Sequence, residues 1–401
     1  MPFTGLRPDQ SVVGLLDDVV CPPYDVITED QRLRLLRRSP YNIVRVELPA
    51  GQYDQAAALL ATWKSTGVLA REKSPMLYGY QMTYPGPDGR PRETRGVLGA
   101  LTLEQPGRGI LPHEHTTPKA KSDRLELLRA TNANTSPIWC LCTEPGLTAA
   151  MGPLPPRGPG GQATSVATAV DEDGNMHEIW PIADPMVHEA VAAVIGARPL
   201  LVADGHHRYE TALAYAAERG GRQPDGTPDQ DRVGSAAVMA FVVELSEDHV
   251  QIFGIHRVVS GLPAGTDLLA AFRGDFDVTP SAASGTALLR EMGRVGALGV
   301  LTPAGALLAK PRPRTAAAAR TLDSSRVDAA LAVLPPHQLA YQHDVAAAYA
   351  AVGSGDADAA VFCRPASVAQ IAATAYGGER MPPKTTFFWP KLRTGMVLRD
   401  W

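Results

Sequence analysis

The sequence predicts an α+β protein in which antiparallel hairpins alternate with amphipathic helices. Three observations predict it. Met76–Tyr84 and Arg92–Glu104 alternate apolar and polar residues on either side of Pro85-Gly-Pro-Asp-Gly89, a composition that turns a hairpin. Residues 167–178 repeat the pattern around Asp173-Gly174. Finally, the short apolar run Arg198–Val202 meets Asp204-Gly205-His206-His207-Arg208, after which Glu210–Glu218 carries Leu213 and Ala217 on one helical face.

The other elements follow in chain order. Cys21-Pro22-Pro23-Tyr24-Asp25 is a stiff turn, and Thr28 is placed to cap a helix that runs to Arg38. Asn42–Leu48 alternates like a strand, and Ala56–Thr66 is an amphipathic helix closed by Gly67. Gly109–Pro112 leads into Pro112-His113-Glu114-His115-Thr116 and a basic helix, Lys119–Arg129. Residues 132–142 return to strand, while Gly152–Gly161 and 220–232 are loops. Ala236–Leu245 is a buried strand, and Gln251–Val259 contains Ile255-His256-Arg257. The character of the chain changes near Gly261. The expected division is a core with an N-terminal extension over 1–261 and a C-terminal α/β region over 262–401 that contributes Lys384-Thr385-Thr386.

A chain of 401 residues with 45% hydrophobic and 20% charged residues builds a sizeable globular core. Its formal net charge of -4 provides no footprint for bulk nucleic acid or an anionic membrane, so any anion site is local. Cys140 and Cys142 form C-x-C on an alternating stretch, which reads as core thiols and not as a zinc or redox pair. No signal-peptide pattern and no long apolar span occur, so a cytoplasmic protein without a membrane partner is expected.

Residues 204–208 place a carboxylate, a glycine, two histidines and an arginine where a strand turns into a helix. Backbone N–H groups and the positive end of the helix dipole suit an anion there, and Arg208 adds a fork for phosphate or carboxylate. Glu114, flanked by histidines, is a candidate proton acceptor; the H-E-x-x-H spacing of zinc proteases is absent. Lys119, Lys121 and Arg124 follow it closely enough to reach a phosphate, although a charged helix face is ordinarily only solvated. The two prolines hold Tyr24 and Asp25 at a pocket edge. Lys384-Thr385, with Lys391 and Arg393 after it, suits phosphate contact but lacks the glycine-rich lead-in of a P-loop.

Pro22-Pro-Tyr-Asp-Val-Ile27, Pro112-His-Glu-His-Thr116, Ala203-Asp-Gly-His-His-Arg-Tyr-Glu-Thr211, His256-Arg257 and Met381-Pro-Pro-Lys-Thr-Thr386 together resemble the domain-of-unknown-function 1015 family, nearly end to end and in motif order. That family's label implies no activity. The Asp-Gly-His-His-Arg element is similar to the phosphate-binding box of the ParB/sulfiredoxin-like superfamily, whose members include nucleotide-binding segregation proteins, sulfiredoxin and kinases of free serine. In those kinases an upstream His-Glu pair supplies the carboxylate that activates the substrate hydroxyl. The matching positions are His113-Glu114 and Asp204–Arg208, separated here by a much longer interval, and the C-terminal region has no counterpart in the compact kinases.

The resemblance thus implies a ParB/sulfiredoxin-like mixed α/β core. It also implies phosphoryl transfer from ATP, ADP or pyrophosphate to free L-serine or a related hydroxy amino acid. Glu114, beside His113, would activate the hydroxyl, and Gly205, His206, His207, Arg208, Lys384 and Thr385 would hold phosphates. Asp204 would position Mg2+ or orient a histidine. Tyr24, Asp25, His115, Thr116 and Arg124 would recognise the substrate, with Asp25 on its ammonium. A ParB-like nucleotide-binding switch or adaptor, and a nucleotide or phosphate-ester hydrolase, are the alternatives. Direct nucleic-acid binding is not expected, and a homodimer is left open.

Overall fold

The computed structural model describes residues 1–86, 89–112, 118–156, 167–219, 234–313, 322–377 and 381–401, with backbone alone for 118–121. The chain forms two compact units, Met1–Gln251 with Pro390–Trp401, and Ile252–Trp389. This differs from the division expected at residue 261. The strand His256–Ser260 lies before the change of composition yet pairs on both sides within the second unit. At the other end, the last twelve residues close the first unit: Leu398 bridges to Leu6, Cys21 and Thr394 exchange backbone hydrogen bonds, and Arg399 pairs with Asn134.

The first unit is built on eight strands: β1 (Leu77–Pro85), β2 (Pro91–Thr102), β3 (Ile110–Pro112), β4 (Ile138–Cys142), β5 (Ala167–Val170), β6 (Met176–Ile182), β7 (Leu200–Asp204) and β8 (Ala237–Glu244). Their spatial order is β3-β7-β4-β8-β2-β1-β6-β5. Both expected hairpins are present: β1 with β2, and β5 with β6, are antiparallel neighbours. β8 is buried over almost its whole length because it lies mid-sheet with both faces covered. Two pairs are parallel, β3 with β7 and β4 with β8.

Helices α1 (Glu29–Arg38), α2 (Val44–Glu47), α3 (Tyr53–Ser65), α4 (Pro118–Thr131), α5 (Pro185–Gly196) and α6 (His206–Glu218) complete this unit, with shorter turns between. Thr28 caps α1 as expected, its Oγ1 accepting the Gln31 N–H at 3.3 Å. One core faces the sheet: Cys140, Val202, Val238 and Ala240 pack with Val191 of α5 and Tyr209 and Ala212 of α6. Another gathers Leu35, Val44, Leu60, Trp63 and Leu127 with Leu398 from the returning C-terminus. Residues 42–48 are not the expected strand. Asn42 Oδ1 accepts the Val44 N–H at 3.0 Å while its amide donates to the Asp18 and Val20 carbonyls, and this anchored residue starts the single turn of α2.

The second unit carries a six-stranded, wholly antiparallel sheet: β9 (His256–Ser260), β10 (Phe276–Ser281), β11 (Leu298–Thr302), β12 (Gly305–Pro311), β13 (Gln338–Gln342) and β14 (Ala359–Phe362), in spatial order β10-β12-β11-β14-β9-β13. Helices α7 (Gly285–Val295), α8 (Asp323–Leu331), α9 (Val345–Ser354) and α10 (Val368–Tyr376) surround it. Strand alternation divides its interior into two cores. Leu298 and Val300 pack with Phe272, Val327 and Leu331, whereas Leu301 packs with Leu288, Met292 and Val352. No helix among the described residues is long and apolar enough to cross a membrane.

Candidate functional site

β7 ends at Asp204, Gly205 turns the chain, and α6 begins at His206, four residues earlier than the sequence pattern suggested. Gly205 has φ +89, and a Cβ there would come within 3.1 Å of the Arg208 guanidinium and 3.0 Å of Ile138, so both conformation and space demand glycine. The register between β7 and β4 shifts between Val202 and Asp204, and the irregularity turns the carboxylate away from the regular ladder. Asp204 Oδ1 accepts the Gly205 N–H at 2.9 Å, and Oδ2 lies 3.1 Å from Lys391 Nζ and 3.8 Å from Arg208 Nη2. Burial pushes this carboxyl up, but Lys391, Arg208 and His206 outweigh burial and hold it well below the usual carboxylate range. His206 and His207 open the helix and are half-buried.

Arg208 Nη1 donates to the Pro137 carbonyl, which holds the side chain along the start of α6. Its Nε and the Thr211 hydroxyl are buried without a partner among the described residues. Three positions apart on one helix, they share a face. Both line a cleft of about 410 Å3, mouth included, whose other polar walls are Glu47, Arg124, Asn134, Thr135 and Ser136. Glu47 is almost wholly buried; it accepts the Thr135 hydroxyl on Oε2 and the Ser136 hydroxyl on Oε1 at 3.3 Å. Arg124 Nη1 donates to the Glu47 carbonyl at 2.9 Å, and its Nε and Nη2 both reach Asp123 Oδ2, at 2.8 and 2.5 Å. The flat face of this guanidinium lies 4.3 Å from the Tyr24 ring centroid. Burial, and then the Asp25 charge, push the Tyr24 hydroxyl up to about 12 against the opposing pull of Arg208 and Arg124.

The fold therefore gathers Tyr24, Asp25, Arg124, Asp204 and Arg208 from three separate stretches of sequence. Arg124 enters as a wall with its donors turned to Glu47 and Asp123, and among the described residues the buried donors of the cleft without a partner are Arg208 Nε and Thr211 Oγ1. Glu47, Thr211, Thr135, Ser136 and the Asp204–Lys391 pair are absent from the sequence-derived set, and only the i,i+3 relation of Thr211 to Arg208 signals any of them in advance. His113, Glu114, His115 and Thr116 lie outside the described residues. The strand before them is described: β3 runs parallel to β7, with Pro112 opposite Val202. Lys384 and Thr385 belong to the second unit, where the Lys384 carbonyl accepts from Arg257 and the Thr385 hydroxyl meets Ser324.

The set around Asp204 does not fit a protein-held Mg2+. One carboxylate oxygen receives a backbone N–H and the other two cations, and no group of three His, Cys, Asp or Glu side chains converges among the described residues. As it stands, Asp204 is the counter-ion of Lys391 and Arg208.

A family model described as "Protein of unknown function (DUF1015)" matches residues 1–325. Among curated proteins none matches. Among solved structures, a free serine kinase in complex with AMP aligns with a TM-score of 0.37 at 14% identity, over 75% of this chain and 92% of that one. A conserved hypothetical protein from Pyrococcus furiosus gives 0.38 at 12% identity, over 75% and 95%. A C-terminally truncated SbnI from Staphylococcus aureus gives 0.40 at 13% identity, over 75% and 87%. Likeness at this level locates no residue of the site.

Proposed function

Because the chain belongs to the DUF1015 family, whose description carries no activity, we propose its function from the geometry of the first unit. The reading is a phosphotransferase that moves a phosphoryl group from ATP, ADP or pyrophosphate to the hydroxyl of a small hydroxy amino acid such as L-serine. One observation carries it. Two neighbouring parallel strands, β3 and β7, run to the same end of the sheet, and β7 leads there into the Asp-Gly-His-His-Arg turn, a helix N-terminus and buried donors that lack acceptors among the described residues. The carboxyl ends of parallel strands are where α/β sheets receive ligands, and a helix start receives their phosphates.

In this reading the donor phosphates lie against the start of α6, drawn by its dipole and by Lys391 and Arg208. Arg208 Nε and Thr211 Oγ1 donate to anionic oxygens in the cleft. Glu114 accepts the proton of the acceptor hydroxyl as its oxygen forms the new bond to phosphorus, and the shortened donor leaves. Asp25, exposed beside Tyr24, pairs with the acceptor ammonium. Asp204 keeps Lys391 and Arg208 aimed at the turn between substrate visits.

The test is product analysis by phosphorus NMR with the full chain, each donor as its magnesium salt, and a panel of hydroxy amino acids. A phosphoamino acid is the expected product, abolished by Glu114→Gln and reduced about a hundredfold or more by Arg208→Gln. Inorganic phosphate released at the same rate without acceptor would replace this reading by a hydrolase. Tight nucleotide binding without turnover would replace it by a nucleotide-dependent switch.

A further inference from the structure

Tyr80, His177 and Asp171 form a buried row inside the first unit and take no part in the proposed transfer. Tyr80 lies on β1 and His177 on β6, two positions from Ile179, which pairs with Tyr80, so both rings rise from one face of the sheet. Their centroids are 6.1 Å apart, and both side chains are buried. The Tyr80 hydroxyl lies 3.0 Å from His177 Nδ1, and His177 Nε2 lies 3.1 Å from Asp171 Oδ2. Asp171 heads the turn between β5 and β6. Its Oδ1 accepts the Asp173 and Asn175 N–H groups at 3.0 and 2.8 Å, and its Oδ2 also accepts the Asn175 amide at 3.0 Å. The row is thus rooted in a turn that the carboxylate itself closes.

The direction of every bond follows from the protons available. The Arg393 backbone N–H can only donate, and it reaches the Tyr80 oxygen at 3.2 Å. The one hydroxyl proton of Tyr80 therefore goes to His177 Nδ1. The ring then carries its own proton on Nε2 and donates it to the Asp171 carboxylate. The row leads outward to one group, the Arg393 amide, and Arg393 is two residues past Lys391, whose Nζ meets Asp204 Oδ2 at 3.1 Å. The same stretch is held further by the Arg393–Glu172 ion pair at 3.0 Å and by Thr394, which exchanges backbone hydrogen bonds with Cys21 at 2.8 and 3.2 Å. Two residues of extended chain span at most about 7 Å, so fixing the Arg393 amide fixes the origin from which the Lys391 side chain reaches Asp204. Burying a hydroxyl, an imidazole and a carboxylate is costly where apolar side chains would pack, and a row with all its bonds made holds a single arrangement in return.

We propose that Tyr80 is a positioning residue for the turn at residues 204–208. Backed by His177 and Asp171, its hydroxyl fixes the Arg393 amide and thereby the place from which Lys391 presents its ammonium to Asp204 and to an arriving phosphate. The last step, delivery of the cation to phosphate, rests on the phosphotransfer reading of the first unit. The anchoring of Lys391 belongs to the empty protein and is measurable without a ligand.

Two measurements on the full chain test it. In the empty protein, acetylation of lysines by acetic anhydride is followed by mass spectrometry. Tyr80→Phe should raise the labelling rate of Lys391, whose side chain is 12% exposed in its pair, about fivefold or more, while exposed Lys73 labels as before. In the phosphotransfer assay the same variant should lower kcat/KM about tenfold, and should lower it no further in a Lys391→Met background, because its influence passes through Lys391. His177→Leu, which leaves the Tyr80 proton without an acceptor, should act in the same direction. His177→Gln, whose amide oxygen takes that proton, should recover most of the loss. If Tyr80→Phe does not fold, the two His177 variants decide. Lys391 labelling that these variants leave unchanged, or equal losses of kcat/KM with and without Lys391, overturns the proposal. Labelling raised as expected in a protein that transfers no phosphoryl group overturns the phosphotransfer reading instead and supports the anchoring.

Discussion

Asp204 and Asp323 pose the same problem in the two units and receive different solutions. Each stands at a helix start and is met by an arginine from its own helix, Arg208 at 3.8 Å and Arg326 at 3.4 Å. Each also receives a cation from far along the chain, Lys391 or Arg364. Arg364 grips with two parallel bonds and a backbone N–H, and only 4% of the Asp323 side chain remains exposed. Lys391 offers a single rotatable ammonium, and Asp204 keeps 19% exposure. A carboxylate clamped in this way is held rigidly in place and serves as a frame. A loosely held one keeps cations in place yet lets an arriving anion share them, which suits a site that turns over.

The largest effect expected from this contrast is on stability. Asp323→Asn leaves Arg364 and Arg326 facing a neutral amide in a buried setting and should destabilise the second unit by about 3–5 kcal/mol. Urea unfolding measures the loss, and hydrogen exchange should place the extra opening within 252–389. An equal rise across the first unit would remove the distinction between frame and site.

Acid should produce the next largest effect, also in the second unit. Burial, then the Arg257 charge, lower the His256 ring from 6.5 to about 4, and its Nδ1 accepts the Cys363 N–H at 3.3 Å, a bond available only to the neutral ring. The unfolded state therefore binds the proton first. Stability is complete above pH 6.5 and falls by about 3 kcal/mol as pH drops towards 4. His256→Gln should flatten that slope in stability measured against pH. Asp204 has the same sign in a lower window: its carboxyl is held below the ordinary value, so its contribution persists above pH 3.8 and fades only as acid reaches the depressed folded value.

A double-mutant cycle on Asp204→Asn and Lys391→Met should give a coupling of about 1–2 kcal/mol, smaller than the clamp because both side chains keep some water. That pair also marks the limit of what the sequence discloses. Arg208 and Arg326 are legible, since helical spacing brings them to their carboxylates. Lys391 closes over 187 residues and Arg364 over 41, and no local pattern encodes such closures. The hairpins around residues 85–89 and 173–174 were legible for the same reason, being local. Asn42–Leu48 was misread because Val44, Val46 and Glu47 are all buried, so its alternation of residue types marks no sheet with a wet face. Glu47 is tolerated inside because Thr135 and Ser136 arrive from 88 and 89 residues away and Arg124 Nη1 lies 3.4 Å from its Oε1.

The smallest expected effect on stability separates site from frame most sharply. Thr211 is 3% exposed, yet its hydroxyl has no partner among the described residues. A frame residue in that position would carry a satisfied bond, and its loss would destabilise by about 1 kcal/mol. Thr211→Val keeps the branched shape and removes a hydroxyl that has nothing to hold in the empty protein, so the unfolding free energy should move by less than about 0.5 kcal/mol. The bond appears only when an anionic oxygen enters the cleft, and its absence should then weaken nucleotide or pyrophosphate binding about fivefold to tenfold. Calorimetric titration and urea unfolding of the same preparation measure both. A fall in stability with unchanged affinity would return Thr211 to the frame and leave Arg208 Nε as the cleft's lone unmatched donor among the described residues.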